Sequence, residues 1–193
     1  MENKSLKGTK TRENLMKAFA GESMARNRYC FFASIAEKAG YIQVAEIFRQ
    51  TALNEKEHAE IFYEFLDGED VEIANVSYPS CLGNTKENLL CAVKYEQEEH
   101  SILYPEFGSI AEEEGFPKIS KMFLEISKIE KHHSEQYSKL YERLNNGTMF
   151  VREEKVNWKC SHCGNNVFHK EAPKECSVCG KEQGYFFVDC HCL

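Results

Sequence analysis

The chain has 193 residues, 42% of them hydrophobic, and a formal net charge of −7. That length supports one sizeable core plus a small appendage. The negative balance speaks against nucleic acid and anionic membranes as partners, and no apolar run approaches the roughly 20 residues of a membrane helix. Met1-Glu2-Asn3-Lys4 is followed by no apolar stretch, so no signal peptide is expected and a cytoplasmic location is. Of the nine cysteines, four form two Cys-x-x-Cys pairs near the C-terminus. Cys30, Cys81 and Cys91 are scattered, and a cytosolic chain with this usage is expected to bind metal rather than form disulfides.

In chain order, residues 1–9 read as a loose arm. A first helix is predicted from about Thr11 to Ala39, with Leu15, Ala18, Glu22, Ala25, Tyr29, Phe32 and Ala36 as its buried seam. Gly40 breaks it. A second helix to about Asp67 buries Val44, Phe48, Thr51, Glu55, His58, Phe62 and Phe65. Residues 68–83 read as a loop. Asn84 and Glu87 form a capping box that opens a third helix, with seam Leu89, Ala92, Glu96, Glu99, Leu103, Phe107 and Ile110. Pro105 should kink it, and Gly115 ends it. Pro117 opens a fourth helix whose seam is Ile119, Phe123, Ile126, Glu130, His133, Tyr137, Leu140 and Leu144. It stops at Asn145-Asn146-Gly147.

An internal repeat runs through the helical part at one constant offset. Tyr29, Ala36, Gly40, Phe48, Glu55, Lys56 and His58 match Tyr104, Ala111, Gly115, Phe123, Glu130, Lys131 and His133. Helices one and two therefore mirror three and four. Glu22 precedes Gly40, and Glu96 and Glu99 precede Gly115, by roughly four to five helical turns. Glu96 stands one residue further from its glycine than Glu22 does from its own. At about 1.5 Å per residue these carboxylates can meet at mid-bundle. The long loop 68–83 can run the length of a bundle, as in a ferritin-like four-helix bundle with one crossover. We expect this all-α bundle over residues 1–147 and a small metal-binding β domain over 148–193.

Each Glu-x-x-His pair sits in the middle of an apolar stripe, where a carboxylate costs several kcal/mol unless it is paired or metal-bound. Glu22, Glu55, His58, Glu96, Glu99, Glu130 and His133 are thus the candidate ligands of a dimetal centre. Oxygen donors with two imidazoles suit iron or manganese. Cys160, Cys163, Cys176 and Cys179 form a second, tetrahedral site, which spacing alone leaves open between zinc and one iron. Cys190 and Cys192 are expected to be free thiols.

The motifs Ala18-Phe19-Ala20-Gly21-Glu22-Ser23, Asn54-Glu55-Lys56-Glu57-His58-Ala59, Tyr95-Glu96-Gln97-Glu98-Glu99, Tyr104-Pro105 and Trp158-Lys159-Cys160-Ser161-His162-Cys163-Gly164 resemble those of the rubrerythrin family. The resemblance spans essentially the whole chain. It implies a di-iron peroxidase that reduces hydrogen peroxide to water in oxidative stress protection, with a rubredoxin-like one-iron site. By the same resemblance Glu55 and Glu130 would bridge the irons. Glu22 with Glu99 would complete one iron and Glu96 with His133 the other. His58 would replace Glu99 on reduction, and Tyr29 and Tyr104 would hydrogen-bond the ligands. It further implies a head-to-tail homodimer and an external electron-donor protein of the rubredoxin type, linked to NAD(P)H. Ser177 stands where the family's second knuckle usually carries proline. A ferritin-like ferroxidase or iron store, and a zinc-ribbon interaction protein, are the competing readings.

Overall fold

The computed structural model describes residues 5–74 and 76–189, so Cys190 and Cys192 lie outside the described residues. Helix α1 (Lys10–Lys38) and α2 (Ile42–Glu64) form one hairpin. Helix α3 (Thr85–Glu98), a five-residue π-helical segment (Glu99–Leu103) and α4 (Tyr104–Glu113) form the third rod of the bundle. It pairs with α5 (Pro117–Asn145). A long connection without helix or strand among its described residues joins the two hairpins. This is the ferritin-like four-helix bundle with one crossover.

The elements begin and end where local chemistry directs. Thr9 caps α1 by accepting from the Arg12 N–H, and Asn84 and Glu87 close the anticipated capping box on α3. Pro117 occupies the first turn of α5, where no partner for its absent N–H is needed. Pro105 does more than kink. The helix in front of it widens into a π turn, and the seam is rephased. Leu103 and Ile110, expected in the core, are only partly buried; Tyr104 and Ala111 are buried instead.

Two apolar clusters flank mid-bundle. One gathers Tyr29, Phe32, Phe48, Leu89 and Tyr137; the other gathers Leu15, Phe62, Tyr104, Phe107 and Phe123. The polar layer between them holds the Glu-x-x-His pairs.

The C-terminal part is a three-stranded antiparallel sheet in the order β2-β1-β3, from β1 (Val151–Cys160), β2 (Asn166–Glu171) and β3 (Phe186–Val188). Trp158 is fully buried at its centre, paired to Val167 and Val188. This unit rests on the α1–α2 turn of its own chain. Phe150 stacks on Tyr41 at 6.2 Å, and Gly184 lies so close to Gly40 that any Cβ there would strike the Gly40 carbonyl.

One expectation fails. Cys81 and Cys91 are joined in a disulfide, with Cα atoms 6.6 Å apart, rather than remaining separate thiols. The crossover returns against the second turn of α3 and so brings together two cysteines that are ten residues apart. Cys30 is free and exposed.

Candidate metal centres

Each of the four bundle rods projects one buried carboxylate into the polar layer. Glu22, Glu55, Glu96 and Glu130 are each at most 1% exposed. His58 and His133 stand one turn along from Glu55 and Glu130, on the same helical faces. Ligand atoms of Glu22, Glu55, His58 and Glu130 lie within 4.8 Å of one another, and so do those of Glu55, Glu96, Glu130 and His133. Glu55 and Glu130 belong to both sets. The result is two mirrored four-donor sites sharing two carboxylates, the local image of the sequence repeat.

The imidazoles enter through Nδ1. His58 Nδ1 is 2.9 Å from Glu55 Oε2 and 2.9 Å from Glu130 Oε1. His133 Nδ1 is 2.8 Å from Glu130 Oε2 and 3.4 Å from Glu55 Oε1. One N–H cannot serve two carboxylates at once, whereas a cation at that point would take all these atoms as ligands. Four carboxylate oxygens agree: Glu22 Oε2, Glu55 Oε1, Glu96 Oε2 and Glu130 Oε1 are buried and accept no hydrogen bond. Burial first, then mutual repulsion, raises the carboxyl pKa of Glu55, Glu99 and Glu130 well above the usual range. Glu22 rises to about 8, chiefly by burial. Burial, reinforced by the facing His133, pushes His58 down to about 4 and keeps it a neutral ligand. Two divalent cations would neutralise this cluster.

The tyrosines cross over. Tyr29, on α1, donates to Glu96 on α3, and Tyr104, on α4, donates to Glu22 on α1. Burial holds both phenols protonated, with pKa well above the ordinary value. Glu99, the first residue of the π turn, is the one expected ligand left outside both donor sets. It lines a cavity of about 310 Å³ with Tyr104, Arg28, Tyr95 and the crossover residues Val76 and Tyr78. Sequence reasoning missed two neighbours. The Asn54 amide lies 3.1 Å from His133 Nε2, and with its oxygen turned to the ring it would fix Nδ1 toward the carboxylates. Arg28 reads as an ordinary surface arginine of an amphipathic helix, yet it is 8% exposed. Asn54 is signalled by its place beside Glu55; nothing local signals Arg28.

At the other site, Cys160 and Cys163 lie on one turn and Cys176 and Cys179 on another. In each turn the first cysteine's carbonyl accepts from a glycine N–H, Gly164 or Gly180, at 2.9 Å. Both glycines have positive φ, 78° and 69°, which only glycine adopts without strain. Cys160 and Cys179 sulfurs are 3.8 Å apart and those of Cys163 and Cys176 3.6 Å. A tetrahedron with metal–sulfur bonds of about 2.3 Å has edges of about 3.8 Å. The thiols cannot all ionise alone. Cys176 falls to about 6, since backbone N–H groups of Val178 and Cys179 outweigh its burial. Cys179 climbs to about 12 against the pull of the Lys181 N–H, through burial and the neighbouring sulfurs.

A ferritin-like bundle with a repeat-related, carboxylate-rich dimetal site, joined to a four-cysteine β domain, defines an iron protein of the di-iron carboxylate class. The rubrerythrin family profile matches residues 13–141, and the chain belongs to that family. It is 49% identical to rubrerythrin-1 of Clostridium acetobutylicum, over 96% of this chain and 97% of that protein. It is 48% identical to rubrerythrin of Porphyromonas gingivalis, over 95% and 92% of the two chains. Among solved structures, the fully reduced, all-ferrous state of nigerythrin superposes with TM-score 0.62 at 30% identity, over 97% of this chain and 90% of that one. A bacterioferritin from Desulfovibrio desulfuricans, 22% identical with TM-score 0.64, shares the bundle over 72% of this chain and 82% of its own. Iron is the cofactor of both clusters, and the chain is a di-iron oxidoreductase of oxidative-stress defence. No helix among the described residues is long and apolar enough to cross a membrane.

Proposed function

We propose that the protein is a peroxidase that reduces hydrogen peroxide to two molecules of water, taking up two electrons and two protons. The observation that carries this reading is the pair of four-donor sets sharing Glu55 and Glu130, with a neutral His58 in one set and Glu99 held outside it. Iron, when bound, supplies the two electrons that cleave the O–O bond. The chain supplies everything else. Glu55 and Glu130, common to both donor sets, would hold the two irons at a fixed separation. Glu22 with Glu99 would complete one site in the oxidised protein and Glu96 with His133 the other, and neutral His58 would take the place of Glu99 in the reduced protein. Tyr29 and Tyr104 keep their protons on Oη and hold Glu96 and Glu22 in their rotamers. The cavity beside Glu99 and Tyr104 is the path for peroxide, protons and departing water.

An iron held by Cys160, Cys163, Cys176 and Cys179 would take up the electrons first. The donor is an external protein of the rubredoxin type fed from NAD(P)H, in the cytoplasm. Four sulfurs near a tetrahedron already suit both oxidation states of one iron, so little has to move. The deciding measurement is stopped-flow oxidation of the fully reduced protein by peroxide and by oxygen. Peroxide should react faster. Faster reaction with oxygen would replace this reading with that of an oxidase or ferroxidase.

A further inference from the structure

A carboxylate released inside a protein needs a new partner, because left alone it costs several kcal/mol. The exchange of Glu99 for His58 therefore requires a place for Glu99 to go. A positive group at the cavity wall would meet that need while keeping the carboxylate ionised, and the cavity lining has two cations. Lys17 stands at its solvent side, half-buried, while Arg28 is only 8% exposed. The flat guanidinium of Arg28 lies 5.5 Å from the centre of the Tyr29 ring and 5.8 Å from that of Tyr95. The aromatic contacts hold its plane and leave its N–H edge free to bond. Its Nε donates to nothing, and none of the ion pairs among the described residues includes it. A buried arginine with an idle donor is costly unless the missing acceptor arrives in another state of the protein.

We propose that Arg28 is the docking cation for Glu99: in the reduced, iron-loaded protein the Glu99 carboxylate, which here stands outside both donor sets and makes no ion pair with Arg28, is held by the Arg28 guanidinium across the cavity. Arg28 acts through Glu99 and touches neither iron nor peroxide, so it is a positioning residue. Its charge already lowers the carboxyl pKa of both Glu99 and Glu22 against the larger effect of burial, which places it within electrostatic reach of both. It stands on α1 between the exposed Asn27 and the buried Tyr29, against Tyr95 of α3, and the dock explains why an arginine is buried there. This inference rests on the proposed exchange of Glu99 for His58.

The test is the midpoint potential of the di-iron centre in four proteins: wild type, Arg28→Gln, Glu99→Gln and the double variant. If Arg28 stabilises the released carboxylate, Arg28→Gln disfavours the reduced state by about tenfold, a fall of about 30 mV for a two-electron couple. In the Glu99→Gln background the same substitution should move the potential little. An equal fall in both backgrounds would reduce Arg28 to a general positive charge and overturn the proposal. No effect of Glu99→Gln on its own would instead overturn the exchange on which the proposal rests. Should Arg28→Gln fail to hold iron, Arg28→Lys carries the cycle, with a smaller fall that again depends on Glu99. A crystal structure of the reduced wild type adds a direct readout: Glu99 oxygens within hydrogen-bond distance of Arg28 are expected, and a Glu99 carboxylate pointing elsewhere would refute the dock.

Discussion

Glu130 stands in both four-donor sets and is completely buried. Truncating it removes a shared carboxylate and leaves the charge of two sites unbalanced. In Glu130→Ala the bundle should lose most of its iron, while the four-cysteine iron remains; iron per chain, with the visible spectrum, measures both. The same cluster makes the metal-free protein sensitive to pH. Glu22 has a pKa of about 8 in the folded chain against an ordinary 4.5, and Glu55, Glu99 and Glu130 shift in the same direction. The folded state then binds more protons than the unfolded one across that window, so stability falls as pH rises through it. His58, lowered from 6.5 to about 4, works the other way: its contribution is lost as pH falls through that range, and it is level above 6.5. Between pH 6.5 and 8 the bundle keeps only the carboxyl effect, and the one opposing group is Cys176 of the cysteine domain, lowered from 9.0 to about 6, against the four raised carboxyls. The melting temperature of iron-free protein should drop across that interval, whereas iron-loaded protein should resist, since its ligands are already deprotonated. A flat profile for the iron-free protein would show that the cluster is not packed as described.

At the scale of elements, the π turn decides which carboxylates face inward. One residue more separates Glu96 from Tyr104 than separates Glu22 from Tyr29. The extra residue is absorbed by Glu99–Leu103, so both Tyr–Glu pairs still form across the bundle. Deleting Ile102, which is 60% exposed, would restore α-helical phase. That turns Glu96 and Glu99 by about 100° relative to Tyr104, one residue's step on a helix of about 3.6 residues per turn. Bundle iron should fall sharply with little change in far-ultraviolet circular dichroism. Full iron content in this deletion would mean that the π turn is incidental.

For the whole molecule, the cysteine domain sits at the Gly40 turn, with Gly184 against the turn's backbone. Glu55 and Glu22 lie roughly four to five turns along their helices from Gly40. At about 1.5 Å per residue, that places the bundle centre roughly 22–28 Å from the turn. One chain thus keeps its two metal sites far apart. A head-to-tail partner would bring its own four-cysteine site beside this bundle. The protein should therefore sediment as at least a dimer under turnover conditions, with peroxidase activity per chain falling as dilution dissociates it. A fully active monomer would rule out the inter-chain route.

Much of this was legible in one dimension. Seam spacing, caps and the repeat determine the four rods, because helical periodicity and end chemistry are local. The Glu-x-x-His pairs mark the dimetal layer, since an ionisable pair in an apolar stripe demands a cation. Paired Cys-x-x-Cys-Gly knuckles likewise carry their own turn geometry. Even the π turn left a trace, because Glu96 stands one residue further from Gly115 than Glu22 does from Gly40. What only the tertiary structure decided are contacts between segments distant in sequence or out of helical phase. These include the crossed Tyr29–Glu96 and Tyr104–Glu22 hydrogen bonds and the Cys81–Cys91 disulfide against expectation. They also include Glu99 at a cavity wall and Arg28 buried beside it. The physical reason is that burial of these groups depends on what packs over them. The crossover and the facing rod supply that cover, and neither is encoded by the residues next to them in the chain.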